Sequence, residues 1–197
     1  MQSRKKTGPE PEGLPSDGDL VRQCQEELPY ETQTFEKLMR RYEPLVYNTC
    51  RKLIGNYEDA EEVSQEVFIK IFHQIKKFEG RSQFRTWMYK IVENSCKTRY
   101  ASIAKRSEKE NEYSQIVEET NLGSSISITQ KIRSDLIEEA LNQLSKDDKK
   151  IIVLRFVSGL SLIEISKILS LSLSATKMRF YRAMDKLREI YAGLGNK

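Results

Sequence analysis

Apolar residues recur at helical spacing in two blocks of the chain, and the stretch between these blocks contains few large apolar residues. In the first block they follow the i, i+3, i+4, i+7 pattern of one helical face, as in Phe35, Leu38, Met39 and Tyr42. The second block repeats this spacing over residues 135–144. No segment shows the two-residue alternation of a half-buried strand. The sequence therefore predicts an all-α fold, with two small helical domains joined by a flexible linker.

Composition sets the predicted boundaries of these domains. Residues 1–18 contain three prolines and three glycines but few apolar residues, so they are predicted to be a disordered tail. Residues 102–130 combine a run of charged residues with a serine-rich segment, which predicts a linker that leaves room for a short helix. The first domain then covers residues 19–101 and the second covers residues 131–195.

Local signals predict where individual helices begin and end. Pro44 lacks an N–H group, so its helix is expected to kink or restart there. Gly55, followed by an asparagine, is typical of a helix C-terminus. In the second domain Ser145 is a candidate N-cap, while Ser161 and Glu164 fit the S-x-x-E capping box at a helix N-terminus. These signals divide each block into short helices.

The composition argues against several classes of protein. Hydrophobic residues make up 38% of the 197 residues and charged residues 31%, and 33 basic against 29 acidic side chains give a net charge of +4. The longest apolar run is far shorter than the roughly 20 residues that cross a bilayer, and no apolar stretch follows the basic N-terminus, so we expect a cytoplasmic protein. Three widely spaced cysteines and one histidine predict reduced thiols rather than a disulfide framework or a metal site. Catalytic motifs are absent, so neither an enzyme nor a cofactor is predicted.

The last two predicted helices have the form of a helix-turn-helix. A short helix over residues 161–169 is followed by a tight turn and by a basic helix that runs to about Tyr191. At 100° per residue, one stripe of the last helix faces inward and contains Thr176, Phe180, Ala183 and Leu187. Its other side can enter a major groove, and Arg179 on the flank can hold a phosphate or pair with an acidic residue of the domain. The residues predicted to contact DNA are Ser174, Lys177, Met178, Arg179, Tyr181 and Arg182.

Motifs in both halves resemble those of extracytoplasmic-function (ECF) sigma factors of bacterial RNA polymerase. The first half carries DAEEVSQEVFIK over residues 59–70, then FEGRSQFRTWMYKI over residues 78–91 and Asn94. The second half carries LRFVSGLSLIEI over residues 154–165 and KMRFYRA over residues 177–183. The two sets of motifs occur in this order across nearly the whole chain after the tail. The last helix is similar to the sigma X type within this family.

The resemblance implies an alternative sigma factor that binds core RNA polymerase and recognises promoter −35 and −10 elements. In this family the helix with the first motif docks on a coiled coil of the β′ subunit. The residues implied for core binding are Asp59, Glu62, Gln65, Glu66 and Lys70. The following loop and helix read the −10 element and nucleate its melting, with one base flipped into a pocket. The residues implied for this step are Phe78, Arg81, Ser82, Lys90, Asn94, Lys97 and Arg99.

Further expectations come with the family. The β subunit is a second contact on the polymerase, and an anti-sigma factor, membrane-bound for many members, is an implied partner together with a role in stress response. Trp87 and Tyr89 are candidates for stacking on bases, although Trp87 lies on an apolar stripe that favours the core. The sequence departs from the family at residues 174–177, which read SATK where GTVK is common, and at residues 28–30, which replace a glycine-containing turn.

A second reading belongs to another class of protein. A self-contained helix-turn-helix regulator would use the first half as a dimerisation or sensory bundle. The segment 59–94 discriminates between the two readings, because a sensor bundle does not need a basic helix with aromatic residues after an acidic docking helix. A homodimer that binds duplex DNA without polymerase would favour the regulator.

Overall fold

The computed structural model describes residues 15–110 and 128–195, and all regular secondary structure within them is helical. This confirms the predicted all-α fold. The elements are α1 (Asp17–Glu27), α2 (Gln33–Ile54), α3 (Tyr57–Gln74), a 3₁₀ turn (Ile75–Lys77), α4 (Phe84–Glu110), α5 (Ile128–Asn142), α6 (Lys146–Phe156), α7 (Leu162–Leu169) and α8 (Leu173–Gly195).

Helix ends follow the sequence signals closely. The Gly55 backbone has φ +90°, a conformation that glycine adopts without strain, and its N–H donates to the Arg51 carbonyl to close α2. The predicted cap at Ser145 accepts from the backbone of Asp148 at the start of α6. Both arms of the predicted capping box at the start of α7 are formed.

Of the two expectations for Pro44, a kink or a restart, the restart is wrong, because α2 runs unbroken through Pro44 over its 22 residues. Proline removes one backbone hydrogen bond and leaves the carbonyl four residues earlier without its usual partner. Pro44 lies on the exposed side of α2, where water can satisfy that carbonyl. The buried stripe on the opposite side holds the helix together.

Two predicted boundaries differ from those of the structure. Helix α1 begins at Asp17, two residues before the predicted domain, because the Ser16 side chain caps it by accepting from the Asp19 N–H. Helix α4 continues to Glu110, nine residues into the predicted linker. Residues 102–110 contain no glycine or proline, and five of the nine are lysine, arginine or glutamate, which favour helix. The predicted tail over residues 1–14 and the linker over residues 111–127 lie outside the described residues.

Each half has an apolar core. In the first half, α2, α3 and α4 pack together through fully buried residues, which include Leu38, Val46, Val67, Ile71, Met88 and Val92. In the second half, α5, α6 and α7 pack against α8 through Ile151, Leu154, Ile165, Ile168 and Ala183, among others. Each fully buried leucine, isoleucine, valine or methionine among them stabilises the fold by about 1.5–3 kcal/mol. The halves also contact each other, α4 against α7 and α2 against α6.

The three cysteines are buried free thiols. Burial raises the pKa of Cys24 to about 11. The Cys96 thiol donates to the Cys50 sulfur at 3.9 Å, and this contact together with burial raises the pKa of Cys96 far above its usual range. Buried thiols with a raised pKa, as in Cys24 and Cys96, are poor nucleophiles.

Candidate nucleic-acid and polymerase interface

The outer face of α3 is acidic. Asn56 caps this helix by accepting from the Asp59 N–H, and the carboxylates of the first turns lie where the positive end of the helix dipole favours them. The side chains of Glu62 and Glu66 are 64% and 51% exposed, and Gln65 is exposed between them. These three predicted core-binding residues form one continuous surface.

Arg99, predicted to contact −10 phosphates, lies against this acidic face. Its guanidinium donates to Asp59 at 3.2 Å and to Glu62, and it lies 3.9 Å from Glu66. Its side chain is only 22% exposed, and the hydrogen bond with Glu62 raises the pKa of Arg99. In this arrangement the guanidinium holds the carboxylates of Asp59 and Glu62 in place and is not free to bind a phosphate.

A second connection joins α3 to α4. The Lys70 ammonium donates to Ser95 at 2.9 Å and to Glu66 at 3.3 Å. Lys70 therefore links the predicted polymerase-binding helix to the predicted −10 helix.

The loop before α4 contains three of the predicted −10 residues. Phe78 is half-buried, with its ring 5.9 Å from the ring of Phe84 and 5.1 Å from that of Trp87. Arg81 pairs with Glu79 at 2.5 Å and is 86% exposed, and Ser82 donates to a backbone carbonyl. The aromatic cluster anchors the loop and leaves its polar tip in solvent.

The predicted −10 residues of α4 differ in accessibility. Asn94 and Lys97 are exposed, but Asn94 lies ten residues beyond Phe84, which is about 15 Å of helical rise from the loop. Lys90 donates to the Ile168 carbonyl of the second half. The idea that Tyr89 stacks on bases is wrong for this arrangement, because its ring is fully buried between the halves.

Helix α8 presents the surface that its periodicity predicts. Thr176 and Ala183 are fully buried, whereas Met178 and Tyr181 are 67% and 61% exposed. Three more predicted contacts, Ser174, Lys177 and Arg182, share the exposed side. A short capped helix, a turn with Ser170 in the left-handed conformation, and this protruding helix together form a helix-turn-helix.

Two ion pairs fix α8 on its domain. The Lys186 ammonium donates to Asp148 at 2.7 Å, and Asp148 is only 6% exposed. Burial acts to raise the pKa of Asp148, but hydrogen bonds from Lys186 and Ser145 outweigh it and lower that pKa. Arg179 pairs with Asp147 at 3.4 Å. Of the two roles that the sequence left open for Arg179, a phosphate contact or a pair with an acidic residue, the structure has the pair.

Sequence reasoning missed several residues at these surfaces. Ile69 is 58% exposed on the acidic face of α3, and its i+4 and i+3 spacing from Gln65 and Glu66 is the signal that could have identified it. Arg85 and Glu93 face the second half, and no sequence signal pairs them with it. Among the described residues, no group of His, Cys, Asp and Glu side chains is arranged to hold a metal ion.

The fold and these surfaces define a class of protein: a two-domain, helix-turn-helix DNA-binding factor with a separate acidic face on α3. The sequence matches the family models for sigma-70 region 2 over residues 38–107 and for sigma-70 region 4 over residues 134–187. The ECF RNA polymerase sigma factor SigW of Bacillus subtilis is 30% identical over 165 residues, which are 79% of this chain and 87% of that protein. The chain belongs to the ECF group of the sigma-70 family, whose members are alternative sigma factors that direct promoter-specific transcription.

Solved structures have the same fold. CnrH in complex with the cytosolic domain of CnrY aligns with a TM-score of 0.68 at 20% identity, over 90% of this chain and 97% of that one. The sigma factor RpoE in complex with the anti-sigma factor NepR from Bartonella quintana aligns with a TM-score of 0.63 at 22% identity, over 79% of this chain and 95% of that one. In the described parts of this chain, no helix has the length and apolar character needed to span a bilayer.

Proposed function

We propose that the two halves divide the work of promoter recognition between them. The observation that carries this proposal is the contrast on α8, where Thr176 and Ala183 are fully buried while Lys177 and Arg182 lie exposed on the opposite side. A helix held in this way offers short polar and cationic groups to a major groove about 12 Å wide. It reads the −35 element through Ser174, Lys177, Met178, Tyr181 and Arg182, with Arg179 as a flanking phosphate contact.

The first half binds the core enzyme and opens the −10 element. Its acidic α3 face, composed of Asp59, Glu62, Gln65, Glu66 and Lys70, docks on a basic surface of the β′ subunit, with the exposed Ile69 as an apolar centre. The −10 strand then follows the loop and α4. Phe78, Arg81 and Ser82 receive the flipped base, and Asn94 contacts the strand about 15 Å further along α4. Lys90 and Lys97 contact phosphates, whereas Arg99 stays paired with Asp59 and Glu62. Extruding a base costs a few kcal/mol of stacking, which contacts of this kind offset.

The remaining assignments follow from this function. A factor that works on RNA polymerase acts in the cytoplasm and has no catalytic activity of its own. An anti-sigma factor is a further partner. This is supported by two proteins of the same fold, a sigma factor solved in complex with an anti-sigma factor and CnrH solved with the cytosolic domain of CnrY. Within the ECF group, the α8 sequence supports the sigma X type and a stress response.

Run-off transcription with purified core RNA polymerase on a promoter library tests the proposal. Adding the protein should create defined start sites that share −35 and −10 elements. Lys177→Ala and Arg182→Ala should each weaken dependence on the −35 sequence by about 5- to 150-fold, the range of one good base contact. Arg188→Ala is a matched change on an exposed part of α8 outside the proposed face, and it should leave the dependence on the −35 sequence unchanged.

The −10 assignment is tested separately. Asn94→Ala should slow promoter opening, measured by permanganate reactivity of the −10 strand, while binding to core polymerase stays intact. Asn48→Ala makes the same change on an exposed position of α2 and is the control. If core polymerase neither binds the protein nor gains start sites, the proposed function fails and the self-contained regulator becomes the working hypothesis.

A further inference from the structure

A cleft with a volume of about 400 Å³ lies between α4 on one side and α6, α7 and α8 on the other. Its volume is within the range of small-molecule sites, which is about 300–1,000 Å³. The charged side chains that line it are four cations and two carboxylates: Lys97, Lys146, Lys150 and Arg179 with Glu93 and Asp147. The lining therefore carries a net positive charge equal to that of two cations.

The two carboxylates are paired with two of the four cations. The Lys150 ammonium lies 3.0 Å from Glu93 and 3.8 Å from Asp147, and the Arg179 guanidinium lies 3.4 Å from Asp147. In the part of the chain that the structure describes, neither Lys97 nor Lys146 forms an ion pair with a carboxylate. The excess positive charge of the cleft is therefore located on these two lysines.

Both lysines lie beside Tyr100, which also lines the cleft. Lys97 lies on α4 three residues before Tyr100, and the Lys146 ammonium is 5.0 Å from the centre of the Tyr100 ring. This cation–π contact attracts the ammonium but does not neutralise its charge. Burial raises the pKa of Tyr100 to about 12, so its hydroxyl stays protonated at neutral pH and remains a hydrogen-bond donor. The donors of the cleft thus suit an anionic ligand.

The charge of the cleft favours one kind of anion. A phosphate group bound through a single ester bond carries about −1.5 to −2 charges at pH 7, which matches the two unpaired lysines. A phosphodiester or a carboxylate carries only one negative charge and compensates half of the excess. The Arg179 guanidinium has five N–H donors, so its pairing with Asp147 leaves donors for a phosphate oxygen. Leu169 gives the same cleft an apolar wall for the organic part of a ligand.

We propose that this cleft is a binding site for a small molecule with a terminal phosphate group. Lys97 and Lys146 contact the phosphate from opposite sides of the cleft, and Arg179 and Tyr100 add further donors. The ligand thereby connects α4 of the first half with α6 and α8 of the second. This site is a property of the free chain and does not rest on the proposed function. The occupation of Lys97, one of the proposed −10 phosphate contacts, does rest on it.

Isothermal titration calorimetry of the full chain with two matched nucleotides tests the ligand class. Adenosine 5′-monophosphate and its 3′,5′-cyclic form share the base and the ribose, but the first is a monoester and the second a diester. The monoester should bind with a dissociation constant of about 1 mM or tighter. The cyclic diester should bind at least about tenfold more weakly, and inorganic phosphate should displace the monoester. Absence of saturable binding by the monoester, or equal affinity for both nucleotides, would overturn the proposal.

Charge variants of the lining should change the affinity in opposite directions. Lys97→Gln and Lys146→Gln should each weaken monoester binding about tenfold, the effect of one charge-assisted hydrogen bond. Asp147→Asn removes a negative charge at a position that is 61% exposed, and it should strengthen binding about threefold or more. Lys37→Gln removes a cation from an exposed position of α2 that does not line the cleft, and it should leave the affinity unchanged. Circular dichroism verifies that each variant is folded.

The control variant also separates a built site from diffuse attraction. Equal losses in Lys37→Gln and Lys97→Gln would show that the ligand responds only to the net charge of the protein, and the site would be refuted. Unchanged affinity in both Lys97→Gln and Lys146→Gln would refute it as well.

Nuclear magnetic resonance shows whether both halves form the site. The backbone amide signals of Lys97 on α4, Asp147 on α6 and Arg179 on α8 should shift along one binding curve, with the calorimetric dissociation constant. Shifts confined to one half would contradict a shared site. Failure of the proposed function is seen elsewhere, as an absence of start sites in run-off transcription, whatever the nucleotide affinities are.

Discussion

Arg99 is the residue whose surroundings differ most from what its motif implies. The motif places it among basic residues of a DNA-contacting helix, yet its guanidinium contacts Asp59 and Glu62 on the helix predicted to bind polymerase. The residue type and its helix were predictable from the sequence. Its partners were not, because they lie 40 and 37 residues earlier, and an arginine on the polar side of a helix is equally compatible with solvent or DNA.

Removing the Arg99 guanidinium should affect polymerase binding more than folding. We expect Arg99→Ala to weaken core binding by about 2- to 5-fold, because the carboxylates of Asp59 and Glu62 lose the group that orients them. The stability cost should be at most about 1 kcal/mol for so accessible a cluster, or about 2–4 °C in the unfolding temperature. Titration of labelled core polymerase and thermal unfolding give the two values.

Two variants show whether geometry or charge is responsible. Arg99→Lys keeps the charge without the planar fork and should recover only part of the affinity. Arg188→Ala removes an exposed arginine whose partner is Asp185, three residues away on the same helix, and should leave core binding unchanged. Equal core affinity of Arg99→Ala and the unchanged chain would show that the cluster does not shape the docking face.

At the scale of the element, α7 depends on its cap. The Ser161 hydroxyl accepts from the Glu164 N–H, and the Glu164 carboxylate accepts from the Ser161 N–H at 2.8 Å. In a helix of eight residues, this capping box supplies a large share of the local stability. It was predictable because both partners lie three positions apart in sequence.

Loss of this cap should loosen the helix-turn-helix. We expect Ser161→Ala to lower the free energy of unfolding by about 1 kcal/mol, within the usual 0.5–2 kcal/mol, and to speed amide exchange in α7. Denaturant unfolding and hydrogen exchange measure these two effects. Ser161→Thr keeps the hydroxyl and should stay close to the unchanged chain. A loss of equal size in both variants would assign the effect to packing and not to the cap.

The Lys186–Asp148 pair between α6 and α8 should give a specific dependence on pH. Its lowered pKa means that Asp148 binds a proton less readily in the folded than in the unfolded chain. The stability it contributes is therefore present above the ordinary aspartate pKa of about 4, and it is lost as the pH falls through the lower folded value. Asp148→Asn should lower the free energy of unfolding at pH 7. At pH 2–3 the free energies of unfolding of the variant and of the unchanged chain should lie closer together.

The control for this experiment is Asp185→Asn, which removes an exposed carboxylate from α8. It should change stability little at either pH, since exposed pairs contribute less than about 1 kcal/mol. Urea unfolding at several pH values measures both variants. If the free energies of unfolding of Asp148→Asn and the unchanged chain differed by the same amount from pH 7 to pH 2, the pH dependence would not come from the Lys186–Asp148 pair.

At the scale of the whole molecule, the sequence predicts the parts better than their assembly. Helical periodicity, caps and glycines identify each helix because these signals act between near neighbours. The contact between the halves depends on pairs such as Glu93 with Lys150 and Lys90 with the Ile168 carbonyl, which are 57 and 78 residues apart. Each of these side chains has a charge that is equally suitable for solvent, so no local pattern distinguishes the interface.

The charge distribution also predicts how the free protein meets duplex DNA. The net charge is only +4, and of the cations on α8 Arg179 and Lys186 are engaged with aspartates. Lys177 and Arg182 then neutralise about two phosphates, which gives a logarithmic salt slope near −2. We expect the protein alone to bind a −35 duplex with a dissociation constant no tighter than about 10⁻⁶ M, as a monomer and with little sequence preference. Between 50 and 200 mM salt the affinity should fall roughly tenfold.

Anisotropy titrations of a labelled −35 duplex over that salt range, with light scattering of the free protein, measure these quantities. The same duplex with its base pairs scrambled is the control, and it should bind the free protein about equally well. Core polymerase should then confer the preference for the intact element, because its binding to the first half adds the −10 contacts that α8 lacks. Tight, sequence-specific binding by a homodimer in the absence of polymerase would instead support a self-contained regulator. In that case the acidic face of α3 would need a different partner.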